Sequence, residues 1–121
     1  MTYEEIFNKT KELVERYDVS DVKEHIAVQI NITGEGSGAF YIEINDGKAV
    51  IAPYEYYDRD CIFIASGENF LKICDGSMNA VLAFTLGKLK VEGSLEKALT
   101  FAEIAEKARK NDKKASKKKR G

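Results

Sequence analysis

One stretch restricts this chain more than any other. It runs from Gly76 to Gly93 and reads GSMNAVLAFTLGKLKVEG. A glycine turn opens it. Then Met78, Ala80, Val81, Leu82, Ala83, Phe84 and Leu86 follow as a run too continuously apolar for an exposed helix. Gly87 ends the run, and Lys88 to Glu92 alternate polar and apolar up to Gly93. The spacing predicts a short buried helix, stopped by glycine, that feeds directly into a half-buried strand. A helix apolar on nearly all sides must be surrounded, either by protein core or by a ligand.

The rest of the chain supplies the surroundings. Thr2 with Glu5 forms a capping box. Behind it Tyr3, Ile6, Phe7, Thr10, Leu13, Val14 and Tyr17 recur at helical spacing, which predicts an amphipathic helix from about Tyr3 to Tyr17. From Glu24 the period changes to two. Ile26, Val28, Ile30 and Ile32 share one face, while His25, Ala27, Gln29, Asn31 and Thr33 share the other, expected to point outward. Gly34 to Gly38 is a turn. Phe40, Ile42 and Ile44 mark a second strand. Asp46-Gly47 signals a hairpin into a third, which Pro53 stops. These three strands read as an antiparallel meander. A polar, aromatic connector from Tyr54 to Asp60 precedes a fourth strand, Cys61 to Ala65. Ser66 is an N-cap for a two-turn helix carrying Phe70, Leu71, Ile73 and Cys74. After the fifth strand Ser94 caps a last helix. Its stripe is Leu95, Ala98, Leu99, Ala102, Ala105 and Ala108, widened by Phe101 and Ile104. The predicted class is α+β: a five-stranded, mainly antiparallel sheet with helices covering one face.

At 121 residues the chain makes one domain, expected over 1–110, with 111–121 a basic disordered tail. Charge divides the same way. From Lys107 onward nine basic residues stand against one acid, a net +8, whereas residues 1–106 carry a net −9. The tail has no interleaved aromatic residue, so base stacking with nucleic acid is not indicated. Attraction to an anionic membrane surface and simple solubilisation both fit it. No apolar run approaches the roughly 20 residues of a membrane span. Glu4 and Glu5 stand where a secretory leader would be basic, so the expected compartment is the cytosol.

Catalytic signals are weak. His25 is the sole histidine and falls on the outward side of its strand. Asp58, Arg59 and Asp60 read as loop charges, with Asp60 suited to capping or pairing at the start of the fourth strand. The glycine loop at 34–38 joins two strands and opens no helix, which removes the phosphate-cradle reading. Cys61 and Cys74 lack metal-ligand spacing and read as buried thiols. No metal, cofactor or catalytic residue is expected.

The ordered set Asp60, Phe70, Gly76, Met78-Asn79, Ala83-Phe84, Gly87-Lys88-Leu89-Lys90-Val91 and Gly93 resembles the signature of the sterol carrier protein type 2 family of small lipid-carrier domains. The family usually has proline where this chain has Ala80. The likeness covers roughly Val22 to Ala105. Pattern alone reads the apolar stripes as filled core. The resemblance implies instead an apolar tunnel between the sheet and the helices that follow it. Its lining would then be Phe70, Ile73, Met78, Val81, Leu82, Phe84, Leu89, Val91, Leu95, Leu99 and Phe101. Met78 suits such a wall, being flexible. The implied function is non-catalytic binding and transfer of an apolar lipid: a fatty acid, fatty acyl-CoA, phospholipid or sterol. Two alternatives stay open, a small interaction or dimerisation module and an accessory domain of a lipid-modifying enzyme.

Overall fold

The capping box at the N-terminus forms as its residues predict. Glu5 donates its backbone N–H to Thr2 Oγ1 at 3.1 Å, and Thr2 N–H reaches Glu5 Oε1 at 2.8 Å. The computed structural model describes residues 1–110; the basic segment 111–121 lies outside the described residues. Helix α1 spans Tyr3–Glu15, two residues short of the expected end. Tyr17 is nevertheless buried, and its hydroxyl donates to the Cys74 carbonyl at 2.7 Å.

Three strands follow as the predicted meander: β1 Ile26–Thr33, β2 Gly38–Asn45 and β3 Lys48–Ala52. The chain then crosses the sheet and returns as β4, Cys61–Ser66, parallel to β1 with Ile30 beside Phe63. Ser66 caps α2, Gly67–Asp75. Asn79 caps α3, Ala80–Thr85. Strand β5, Lys90–Gly93, is antiparallel to β4, and Ser94 caps α4, Leu95–Lys110. The sheet order is β3-β2-β1-β4-β5. Only the β1–β4 pair is parallel, so the sheet is mixed and mainly antiparallel.

One face of the sheet carries the core. Phe40 is ringed by Tyr3, Phe7 and Phe70 at centroid distances of 6.3, 5.5 and 5.9 Å, which fixes α1 and α2 over β2. Phe63 meets Phe101 edge-on at 5.8 Å and fixes α4 over β4. Thr10, fully buried on α1, satisfies its hydroxyl on the Ile6 carbonyl at 2.8 Å.

The opposite face departs from expectation at β1. Ala27 and Gln29 are buried, not outward. The connector from Tyr54 to Asp60 covers them. Tyr56 donates its N–H to Gln29 Oε1 at 3.1 Å and stacks edge-on against Tyr41 at 4.7 Å. Asp60 fastens the far end: its N–H donates to the Ala27 carbonyl, its carboxylate accepts from Ala27 N–H, both at 2.8 Å, and its own carbonyl accepts from Ser94 N–H at 3.0 Å. Gly93 is needed beside it. Its φ is +87°, and a Cβ there would stand 2.9 Å from the Asp60 carbonyl oxygen.

The α3 segment gives the main correction. It is a helix stopped at Gly87, but it is not buried. Val81, Leu82, Phe84 and Leu86, with Leu95 and Leu99 of α4, are each between 43% and 60% exposed. Only Ala83 of α3 is sealed. Its six residues are too few to lay a full stripe on the sheet. The strand after it also begins later than the alternation suggests. Lys88 and Leu89 turn both N–H groups onto the Ala83 carbonyl, at 2.8 and 3.2 Å, so the β5 ladder starts at Lys90.

Candidate functional site

Val81 and Phe84 of α3 face Leu95 and Leu99 of α4 across a groove of about 450 Å³. One wall is α3, with Ala80, Val81 and Phe84, continued by Leu89. The other is α4, with Leu95, Ala98, Leu99 and Ala102; Phe63 and Val91 of the sheet also line it. The space exists because alanines stand at 80, 98 and 102, where larger side chains would close the two helices together. Glu96 is the single charged residue in the lining.

A narrower crevice of about 70 Å³ adjoins the groove and shares Phe63, Ala80, Val81, Leu99 and Ala102 with it. It runs on beside α4 past Phe70, Ile73, Met78 and Phe101 to Tyr17, Cys74 and Arg109. On the other side of α3 lies a third depression of about 390 Å³, where Leu82 and Leu86 sit with Met78, Lys72 and Lys88.

The structure therefore divides the residues singled out from sequence. Val81, Phe84, Leu89, Val91, Leu95 and Leu99 line the groove. Phe70, Ile73, Met78 and Phe101 line the crevice. Leu82 belongs to neither and points to the far side of α3. The sequence list lacked Phe63, Ala80, Glu96 and the Tyr17–Arg109 end. Phe63 was within reach, since it is an inward residue of β4 and pairs in register with Val91. Arg109 was hidden in a basic run read only as charge.

The site offers little to bond-making chemistry. His25 lies by the connector-covered side of the sheet, where its Nε2 sits 2.5 Å from Glu43 Oε2. Burial alone would raise the Glu43 carboxyl, but hydrogen bonds from His25 and Tyr56 hold it below its ordinary value. Both cysteines are free and buried. Burial raises the Cys61 thiol to about 11 and the Cys74 thiol to about 12, so neither ionises near neutrality. Among the described residues no group of three His, Cys, Asp or Glu side chains is placed to hold a metal ion, and no helix is long and apolar enough to cross a membrane.

The model of the SCP-2 sterol transfer family matches residues 5–106. The chain belongs to that family. Its fold is thus that of a lipid-binding domain. Among curated relatives, sterol carrier protein 2 of Arabidopsis thaliana is 30% identical over 80 residues, which is 63% of this chain and 65% of that protein. Hydroxysteroid dehydrogenase-like protein 2 of Xenopus tropicalis is 30% identical over 77 residues, 63% of this chain but 18% of its own. The chain thus spans less than two thirds of these relatives' lengths. Among solved structures, palmitated SCP2L2 of Aedes aegypti aligns with a TM-score of 0.64 at 20% identity, over 87% of this chain and 95% of that one. The ubiquinone synthesis protein UbiJ-SCP2 aligns at 0.58 and 18% identity, over 81% and 78%. At such identities these two matches speak for the fold alone.

Proposed function

We propose that this domain is a non-catalytic lipid carrier that holds one apolar chain in the groove between α3 and α4. The observation that carries this reading is the groove's lining: aliphatic and aromatic on every element, with Glu96 its one charge. A chain of about fifteen methylenes gains roughly 12 kcal/mol gross on full burial. Lost ligand freedom offsets several kcal/mol of that. An open groove covers only part of the chain, so micromolar affinity is the natural scale. In this reading the ligand completes a tunnel, with α3 and α4 closing over it. The mosquito structure of the same fold is described as palmitated, a ligand of this kind on that protein.

A carrier must also meet a membrane. Leu82 and Leu86, on the outer side of α3, stand beside Lys72 and Lys88 with no carboxylate lining that depression. Lys72 does pair with Glu68 along α2, at 3.1 Å. An apolar patch edged by lysines suits contact with an anionic bilayer during loading. The dehydrogenase-like relatives favour a second reading, an accessory domain handing its lipid to an enzyme; there a partner enzyme, not vesicles, would speed release.

Native mass spectrometry of the purified chain, with uptake of a fluorescent fatty acid, tests the carrier reading. A lipid adduct or saturable uptake at one site per chain is expected. A bare protein that takes up no probe would overturn it.

A further inference from the structure

Helix α3 is apolar on both sides, and a groove wall needs only one. Val81 and Phe84 line the groove, whereas Leu82 and Leu86 line the depression behind it. These two leucines stand four residues apart on one side of the helix, and each is more than half exposed. A bilayer takes them up only during loading; in solution they stay in water beside an open groove. What α3 and α4 share fixes their relative direction. Phe84, near the C-terminal end of α3, lines the groove with Leu95, and Asn79, its N-cap, lines the crevice with Glu103. Helix α3 therefore runs antiparallel to α4.

The outer side of α3 and the groove match in size, polarity and charge. Cutting one buried leucine back to alanine opens about 150 Å³, so two leucines need roughly 300 Å³. The groove has about 450 Å³, lined almost wholly by apolar side chains. Lys72 and Lys88 edge the leucines with no carboxylate lining that depression, whereas Glu96 is the one charge of the groove and Glu103 borders the crevice. A single copy cannot make this match, because the outer side of α3 points away from the groove that α3 walls. A second copy makes it for both at once. With a two-fold axis parallel to α3, the helices order across the contact as α4, α3, α3, α4, and each α3 keeps its antiparallel sense beside the other copy's α4. Lys88 of each copy then comes to the Glu96 end of the other's groove, and Lys72 to the Glu103 end.

We propose that unloaded copies pair through this face, the Leu82 and Leu86 side chains of each filling the groove of the other, and that a bound lipid dissolves the pair. The inference rests on the carrier reading and adds to it a control on the same site. Six side chains of α3 and α4, each roughly half in water, expose about 500 Å² in one copy and about 1,000 Å² in two. Stable interfaces begin near about 1,200 Å², so this pair is weak and reversible, with a Kd of about 10 to 100 μM. Lipid and second copy compete for one space, so each lowers the other's affinity by the same factor.

The test is sedimentation equilibrium of the delipidated full chain from about 5 to about 500 μM, with and without dansyl-undecanoic acid, a fluorescent fatty acid. The bare chain is expected to pass from monomer to dimer mass across that range, and saturation with the probe to return it to monomer. Leu86→Glu should leave it monomeric throughout. Lys88→Glu or Glu96→Lys alone should weaken pairing about tenfold, since a two-fold contact carries each charge pair twice, and the two together should restore it. A bare chain that stays monomeric to the highest concentration would overturn the pairing, leave the outer side of α3 to the membrane and keep the carrier reading intact. A dimer indifferent to Leu86→Glu, or to the bound probe, would overturn the pairing as well. No probe fluorescence beside a dimer that Leu86→Glu dissolves would remove the carrier reading and leave the pairing. The first measurement needs no substitution, so an unfolded variant cannot obscure the result.

Discussion

Phe40 on β2 and Phe84 on α3 are the same residue in two different surroundings. Phe40 is fully buried, with three aromatic rings edge-on around it. Phe84 lines the groove and keeps 43% of its surface in water. The contrast extends to their neighbourhoods. Ile6, Ile26, Ile30 and Ile44 fill the space between α1 and the meander to 2% exposure or less. Val81, Leu95 and Leu99, as apolar as these, leave a groove between α3 and α4. What differs is length and size. Thirteen residues of α1 present three fully packed positions to the sheet, while α3 has six residues and faces alanines on α4. Apolar content is thus a poor guide to which half is sealed; the facing small residues decide.

That comparison can be broken by substitution. Phe40→Ala should cost about 3–5 kcal/mol, as core aromatic truncations do, whereas Leu99→Ala should cost about 1 kcal/mol because half of Leu99 is already solvated. Urea denaturation of the two variants measures both, and equal losses would mean that the groove is as structural as the core. A smaller effect is expected on the outer side of α3. Leu82→Glu together with Leu86→Glu should lower sedimentation with phosphatidylserine vesicles about tenfold, near 1.4 kcal/mol, while leaving uptake into the groove unchanged. Unaltered sedimentation would remove α3 from membrane contact.

The smallest effect belongs to the connector-covered side. Glu43→Gln should cost less than about 1 kcal/mol at pH 7, since the His25 partner is largely exposed. The sign with pH is fixed by the lowered Glu43 value. The folded carboxyl binds its proton less readily than the unfolded one, so its contribution is present above the ordinary carboxyl value of 4.5 and fades as pH falls through the folded value. A cost for Glu43→Gln that persisted undiminished well below pH 4.5 would contradict that assignment.

Much of this was legible from residues alone. Thr2, Ser66 and Ser94 all cap helices as their residues predict, and the alternation of β1 and β2 gave the meander. These signals are local and act within a few residues. What escaped was nonlocal. Nothing near Ala27 or Gln29 reports that Tyr56 and Asp60 will cover them. Leu82 was assigned to the lining because a helix apolar on every side has no preferred face in its sequence. The open groove was missed for the same reason, since pattern cannot distinguish a stripe that is covered from one that is not. Arg109 gained its place only when α2 ended at Gly76 beneath it.

The strand order has one more consequence, for how copies of the domain behave in a crowd. The two outer strands of the sheet are its shortest: β3 has five residues and runs into Pro53, and β5 has four. Lys90 and Glu92 stand exposed along β5. Short, charged or proline-ended margins are poor templates for adding a strand from another molecule. A domain that leaves an oily groove open to water already has one way to stick to its neighbours. Blunt sheet margins deny it a second, so that clustering of copies by strand addition is disfavoured and the exposed apolar helix faces are left as the surfaces through which copies can meet.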